Sequence, residues 1–432
     1  MSLLAKRVDL LDTENAFKVG PYIRALEDQG KKVIKCNLGE PDFPLPGFIK
    51  EEVKRQIDLD NTHYCDPQGI LPLRKAIAKH FSETRGIQAT PERVVVFPGA
   101  KPPIGLCQQT YCDPGDEVIY PSPGFPIYES FVHYVGAKPV PVHLREEKNF
   151  TLSGSDIASA MTPKTKMIYL NFPSNPTGGV ASQEQLREIA DVILKRDSKE
   201  IRIFSDEVYE DILFDGSTHH SIISFPGMEK NTVLVSGASK SFSWTGGRIG
   251  WALFPTAEEA EIFKNLNINY FSCIPAYNQE GARLGLESPL SRGAIAEMVE
   301  AFQQRRNMVV EGLNAIEGIH CQKPKGAFYV FPNISGACQS LGVMDALRSL
   351  SPELQKKTTP STLFQLFLLF EYQVATLDRK SFGRIGTEGL HFLRLSVATD
   401  IDSLKEGVKR IRAASQDRKG FKQFFEKGDH LY

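Results

Sequence analysis

A chain of 432 residues exceeds what one hydrophobic core serves, so a large lobe and a smaller one are expected. Charged residues make up 24% and balance to a net charge of -1, which attracts neither nucleic acid nor an anionic membrane and leaves a small polar ligand as the expected partner. The seven cysteines are scattered without a C-x-x-C pair or a histidine at ligand spacing, so reduced thiols and no metal centre are expected.

Lys6, Arg7, Asp9 and Asp12 interrupt the first residues, unlike a secretory signal or an acid-poor transit peptide, and a cytoplasmic location is expected. From about residue 90 to 250, β-rich runs at 94–97, 117–120, 167–170, 201–204 and 232–235 each stop at Pro, Gly, Asn, Ser or Asp. Between the third and fourth, Leu186, Ile189, Ala190, Ile193 and Leu194 recur at helical spacing. Such alternation predicts an α/β region with a largely parallel sheet covered on both faces. Helical patterns at 257–286, with interruptions, and 294–316 then bridge to a second lobe. Strands are expected there at 326–331 and 391–396, with an amphipathic helix at 401–413. The apolar run 366–370 is far short of the roughly 20 residues that cross a bilayer and reads as a buried helix. An α+β lobe fits this order.

Parallel sheets bind ligands at the carboxyl ends of their strands, so the polar residues ending these runs are the candidates. After 94–97 comes Pro98-Gly99-Ala100-Lys101-Pro102-Pro103, a glycine turn into a helix start that can hold a phosphate; a plain structural turn explains it as well. Asn175-Pro176-Thr177-Gly178 follows 167–170, Ser205-Asp206-Glu207-Val208-Tyr209 ends 201–204, and Ser236-Gly237-Ala238-Ser239-Lys240 ends 232–235. Singly these are a turn, a helix cap and a solvated charge. On successive strand ends they form one constellation.

Joined to Gly39-Glu40-Pro41-Asp42, Tyr64, Gly69, Leu73-Arg74, Phe125, Arg248, Gly326-Ala327-Phe328-Tyr329 and Arg394-Leu395-Ser396, that constellation resembles the class I, fold-type I pyridoxal-phosphate aminotransferases, most of all the bacterial aspartate aminotransferase subgroup. The resemblance implies a seven-stranded, mostly parallel sheet between helices plus a smaller α+β lobe. Its implied division is an N-terminal arm and part of the small lobe at 1–45, a large cofactor-binding domain at 46–295 and a small domain at 296–432. It further implies pyridoxal 5'-phosphate held by Lys240 as a Schiff base. The amino group of an α-amino acid, aspartate among the candidates, would pass to a 2-oxo acid such as 2-oxoglutarate, ping-pong through pyridoxamine phosphate.

The resemblance assigns catalysis to Lys240, Asp206 and Tyr209. Lys240 would move a proton from the substrate Cα, and Asp206 would keep the pyridine nitrogen protonated. Asn175 and Tyr209 would bond the cofactor's phenolic oxygen, and Phe125 would stack on its ring unless it is ordinary core. Phosphate would be held by the backbone at Ala100 and Lys101, by Arg248 and by the Ser239 hydroxyl. Arg394, the Gly39 N–H and Asn175 would receive the substrate, whose α-carboxylate suits the arginine fork. Tyr64 would reach the phosphate of a neighbouring subunit, implying a homodimer with shared active sites.

The chain also departs from that pattern. The family's second phosphate serine is Gly237 here. Glu14-Asn15-Ala16-Phe17 stands where the subgroup has small hydroxyl residues that, with the Lys101 position, meet a distal carboxylate; an acid there would repel aspartate unless it points away. A polar stretch at 349–362 and the segment 376–380 replace a compact helix and turn and are expected as a surface elaboration. Trp244 replaces a smaller apolar residue without a mechanistic reason. Two other readings are a β- or γ-eliminating lyase or synthase on the same fold, and a cofactor-sensing regulator. The second would carry an N-terminal DNA-binding domain, for which the early start of the resemblance leaves no room.

Overall fold

Runs rich in Val, Ile and aromatic residues become strands where neighbours can satisfy their backbone groups. The computed structural model describes residues 3–196, 200–383 and 389–428; Met1, Ser2 and 429–432, which the expected outer domain bounds include, lie outside the described residues. In chain order the strands are β1 (Ile34–Lys35), β2 (Val94–Phe97), β3 (Glu117–Ser122), β4 (Lys138–His143), β5 (Thr165–Asn171), β6 (Arg202–Asp206), β7 (Thr232–Gly237) and β8 (Gly250–Leu253). The later region adds β9 (Tyr329–Val330), β10 (Val374–Ala375), β11 (Leu377–Asp378) and β12 (Leu393–Ser396).

One seven-stranded sheet runs in the order β2-β8-β7-β6-β5-β3-β4, parallel except for β8, which is antiparallel to both β7 and β2. This is the fold-type I architecture. All five expected runs are strands in it, with only their ends shifted. Alternation along β5 shows why both faces are covered: Ile168 and Leu170 join one apolar cluster, Met167 and Tyr169 the other. The helix Gln183–Lys195 packs on the first face through Leu186, Ile189, Ala190 and Ile193, while Leu194, at the margin of the stripe, is exposed. Its start is a capping box, in which the Ser182 hydroxyl accepts from Gln185 N at 3.2 Å and Gln185 Oε1 accepts from Ser182 N at 2.9 Å.

β4 and β8 were not anticipated. β4 reads Lys-Pro-Val-Pro-Val-His, and prolines argue against a strand except at an edge. It lies at the edge: Lys138 and Leu144 donate toward β3 and its carboxyl end, to Asp116 O at 2.7 Å and Ser122 O at 2.9 Å, so the odd positions Pro139 and Pro141 face outward. β8 begins at Gly250, where a Cβ would lie 2.3 Å from the Gly99 carbonyl carbon, so the turn after β2 rests directly on that backbone.

Further along, 257–286 divides into helices Ala257–Phe271 and Ala276–Glu287, and 294–316 is the 25-residue helix Leu290–Asn314. The expected strand 326–331 shrinks to β9 because Ala327, at φ 54, breaks the extended backbone. β11, β12 and β9 form an antiparallel sheet, and β1 pairs in parallel with β10, which ties the first segment of the chain to the last third. The run 366–370 belongs to the buried helix Pro360–Tyr372, and 401–413 to the helix Ile401–Gln416.

The surface expectation holds for the helix Pro352–Lys357, which has no buried residue, but fails for 376–380. Thr376, Asp378 and Arg379 are buried, because β11 is a sheet neighbour of β12 and the Arg379 guanidinium donates to Ser122 Oγ at 3.2 Å and Gly383 O at 2.9 Å. Trp244 now has a packing reason: its indole fills the space left by Gly247 and Gly281, where a Cβ would lie 2.3 and 3.1 Å from it. Among the described residues no helix is long and apolar enough to cross a membrane, and all seven cysteines are free thiols.

Candidate active site

The carboxyl ends of β5, β6 and β7, with the turn after β2, open onto a cavity of about 540 Å³. Every expected site residue lines it except Tyr64. That side chain is 87% exposed, so it is neither in its own chain's site nor packed as core.

Asp206 closes β6 and is buried, and its Oδ2 accepts a hydrogen bond from the Tyr128 hydroxyl at 2.6 Å. Burial raises its carboxyl from 3.8 to about 6, against the opposing pull of that hydrogen bond. Tyr128 went unassigned in the sequence. It lies in the helix Pro126–Val135 that Phe125 precedes, its ring 5.7 Å from that of Phe125 and stacked on Tyr169 at 4.5 Å. Phe125 itself is half-buried and faces the cavity.

Behind this segment, a spacing of three residues through the turn after β6 separates two tasks. Asp206 and Tyr209 face the cavity, whereas Glu207 and Glu210 turn to the buried Arg85, which donates its Nε to Glu207 Oε2 at 3.0 Å and its Nη2 to Glu210. His219 Nε2, 2.7 Å from Glu207, and the Ser236 hydroxyl, 2.6 Å from Glu210, complete the anchor. A buried carboxylate needs such partners, and here they also hold the cavity-facing residues in register.

Lys240 sits in the short helix Ala238–Ser241 directly after β7. Its Nζ donates to Gly39 O at 2.6 Å and lies 5.8 and 5.7 Å from the ring centres of Tyr209 and Phe328. Burial lowers its ammonium from 10.5 to about 8, partly countered by Glu14 and Glu40. Gly39 admits no side chain, since a Cβ would lie 2.3 Å from the Tyr329 hydroxyl. That hydroxyl is also 2.7 Å from the Tyr209 hydroxyl, a contact the sequence did not reveal.

Arg394, on β12, is buried with its Nη1 donating to Asn175 Oδ1 at 3.1 Å and its Nη2 to Asn37 O at 2.5 Å. The guanidinium lies 4.5 Å from the Tyr329 ring centre and 5.0 Å from that of Phe382. Its Nε has no hydrogen-bond partner. A buried, always-charged fork with an unused donor is an acceptor site in waiting.

At the other end of the cavity, Arg248 donates to Thr245 O at 2.8 Å and Pro98 O at 3.0 Å while remaining exposed. Gly99 has φ 89, and a Cβ there would strike the Arg248 guanidinium at 2.3 Å. Pro102 and Pro103 open the next helix without N–H groups, so Ala100 and Lys101 supply the backbone donors before Ile104, whose N–H is already bonded to Lys101 O at 3.1 Å. Ser239 is half-buried on the same wall. Glu14 does not point away: it lines the cavity and forms an ion pair with Lys101.

The donor set fits pyridoxal 5'-phosphate. An amine lowered toward neutrality suits an aldehyde, a buried carboxylate suits a protonated ring nitrogen, and an arginine beside a glycine turn suits a phosphate.

Residues 31–411 match the family model described as aminotransferase class I and II. The chain is 36% identical to a probable aspartate/prephenate aminotransferase of Aquifex aeolicus, over 96% of this chain and 99% of that protein. It is 33% identical to aromatic-amino-acid aminotransferase 2 of Thermococcus litoralis, again over 96% of this chain and 99% of that one. A crystal structure of the aspartate aminotransferase from Rhizobium meliloti matches with a TM-score of 0.85 at 32% identity, covering 96% of this chain and 99% of the other. The lyase alternative finds no support in these matches.

Proposed function

Because the chain belongs to the class I and II aminotransferases, and is a pyridoxal 5'-phosphate-dependent enzyme of amino acids and oxo acids, we propose that Lys240 is its cofactor-linking and proton-moving residue. The observation that carries this is the half-buried Lys240 amine, held on Gly39 O and lowered to about 8, in one cavity with Asp206 and Arg394. When bound, the cofactor supplies the aldehyde and a protonated ring that takes up the electron pair left by the substrate Cα–H bond.

The chain's own residues do the rest. Asp206 holds the proton on the ring nitrogen, and Tyr128 holds Asp206. The Asn175 amide and the Tyr209 hydroxyl would donate to the phenolic oxygen, and Phe125 would cover the ring. Ala100 and Lys101 backbone donors, Ser239 and Arg248 hold the phosphate. Arg394, with Gly39 N–H and Asn175, orients the α-carboxylate so that the Cα proton faces Lys240, which accepts it once its amine is free.

The expected division at 45 and 295 is retained in this reading: the pairing of β1 to β10 supports placing part of 1–45 with the small lobe, while 295 falls within the helix Leu290–Asn314. So is a homodimer with shared active sites, supported by the exposed Tyr64. Cytoplasmic location stands on the charged residues Lys6, Arg7, Asp9 and Asp12 of the first segment, and aspartate and 2-oxoglutarate as substrates stand on the resemblance.

Borohydride reduction of the cofactor-loaded protein, followed by peptide mapping, should give a modified peptide containing Lys240. Saturated protein that stays colourless and unmodified there defeats the proposal.

A further inference from the structure

The assignments above use Asp206, Lys240, Arg248 and Arg394, which leaves Lys101 as the cavity cation available to a substrate side chain among the described residues. It is not idle. Its ammonium is paired with the Glu14 carboxylate, at side-chain exposures of 46% and 19%, and lies 5.9 and 5.6 Å from the ring centres of Phe17 and Phe125. Glu40, a second carboxylate on the same wall, accepts from the Thr245 hydroxyl. Among this chain's described residues, one positive and two negative side chains thus line the cavity beyond those already assigned.

A distal carboxylate brought into this compartment must either displace Glu14 from Lys101 or sit beside it at like charge. An uncharged side chain leaves the pair closed and meets Phe17, Leu38 and Ile104 along the wall. We propose that Glu14 is a specificity-determining residue that, by holding Lys101, turns the site from dicarboxylic amino acids toward those with uncharged, apolar or aromatic side chains. Aspartate and 2-oxoglutarate then enter only against Glu14. This deepens the reading above and rests on Arg394 receiving the α-carboxylate.

The test is calorimetric binding of glutarate and pentanoate to the cofactor-loaded enzyme, since the two differ only in the distal carboxylate. Pentanoate should bind at least as tightly as glutarate to the unaltered protein. Glu14→Gln should tighten glutarate about fivefold or more while pentanoate moves less than about twofold, and Lys101→Met added to it should cancel the gain. A glutarate-to-pentanoate ratio unmoved by Glu14→Gln overturns the inference. Arg394→Met separates the two failures: if it weakens neither ligand the α-carboxylate assignment falls, and if it weakens both while the ratio ignores Glu14 only this inference falls.

Discussion

Asp206 and Lys240 reach the cavity from the ends of β6 and β7, paired strands in which Asp206 lies opposite Val235, so backbone hydrogen bonds set their spacing. Glu14, Gly39 and Arg394 reach it from the first segment and the last third of the chain and meet the first group through side chains: Lys101 to Glu14, Lys240 to Gly39 O, Arg394 to Asn175. In the proposed reading, the half assigned to chemistry is therefore held by a sheet, and the half assigned to substrate choice by contacts that single residues can rewrite. Changes in the first should alter rate for every substrate, and changes in the second should alter which substrate is taken.

The largest effect is expected at Asp206. Asp206→Asn should lower kcat by about 10²–10³-fold for every amino donor. It should also stabilise the cofactor-free protein. With a folded value near 6 against 3.8, the unfolded chain releases this proton first as pH rises, so burial of Asp206 costs up to about 3 kcal/mol across that window and above it. Urea unfolding at pH 5 and pH 7 should show the variant less pH-sensitive than the parent, and less stable behaviour at pH 7 would break the argument. Next, Arg394→Lys exchanges a two-pronged donor for a point charge and should reduce kcat/KM about 10²-fold, mainly through KM and alike for all α-amino acids. A change confined to kcat would move Arg394 into the chemical half. Smallest, Tyr329→Phe removes one hydroxyl contact to Tyr209 and should cost about fivefold in kcat/KM. A loss of about 10²-fold or more would mean that Tyr329 touches the reacting group and that the two halves are not separable.

The same contrast explains what could be read from the chain alone. Asn175, Asp206 and Lys240 were visible because breakers after β-rich runs mark strand ends, and strand ends are where parallel sheets bind ligands. Tyr128 was hidden because its bond to Asp206 spans 78 residues, and Arg85 because its partner Glu207 is 122 residues away. Glu14 was recognised as an awkward charge, but its direction is a tertiary fact: whether it repels or neutralises depends on Lys101 being within reach. β4 was missed because proline is unfavourable in most strand positions, and only sheet order reveals that this one is an edge.

That edge has a consequence for the protein outside its active site. A bare rim of a seven-stranded sheet is a template on which another chain's strand can grow, a route into aggregates. Along β4 the outward positions 139 and 141 are prolines, so two of the donors such a visitor would require do not exist. At this rim the addition of a further strand is disfavoured, which protects a population of crowded, partly folded copies from zipping together along β4.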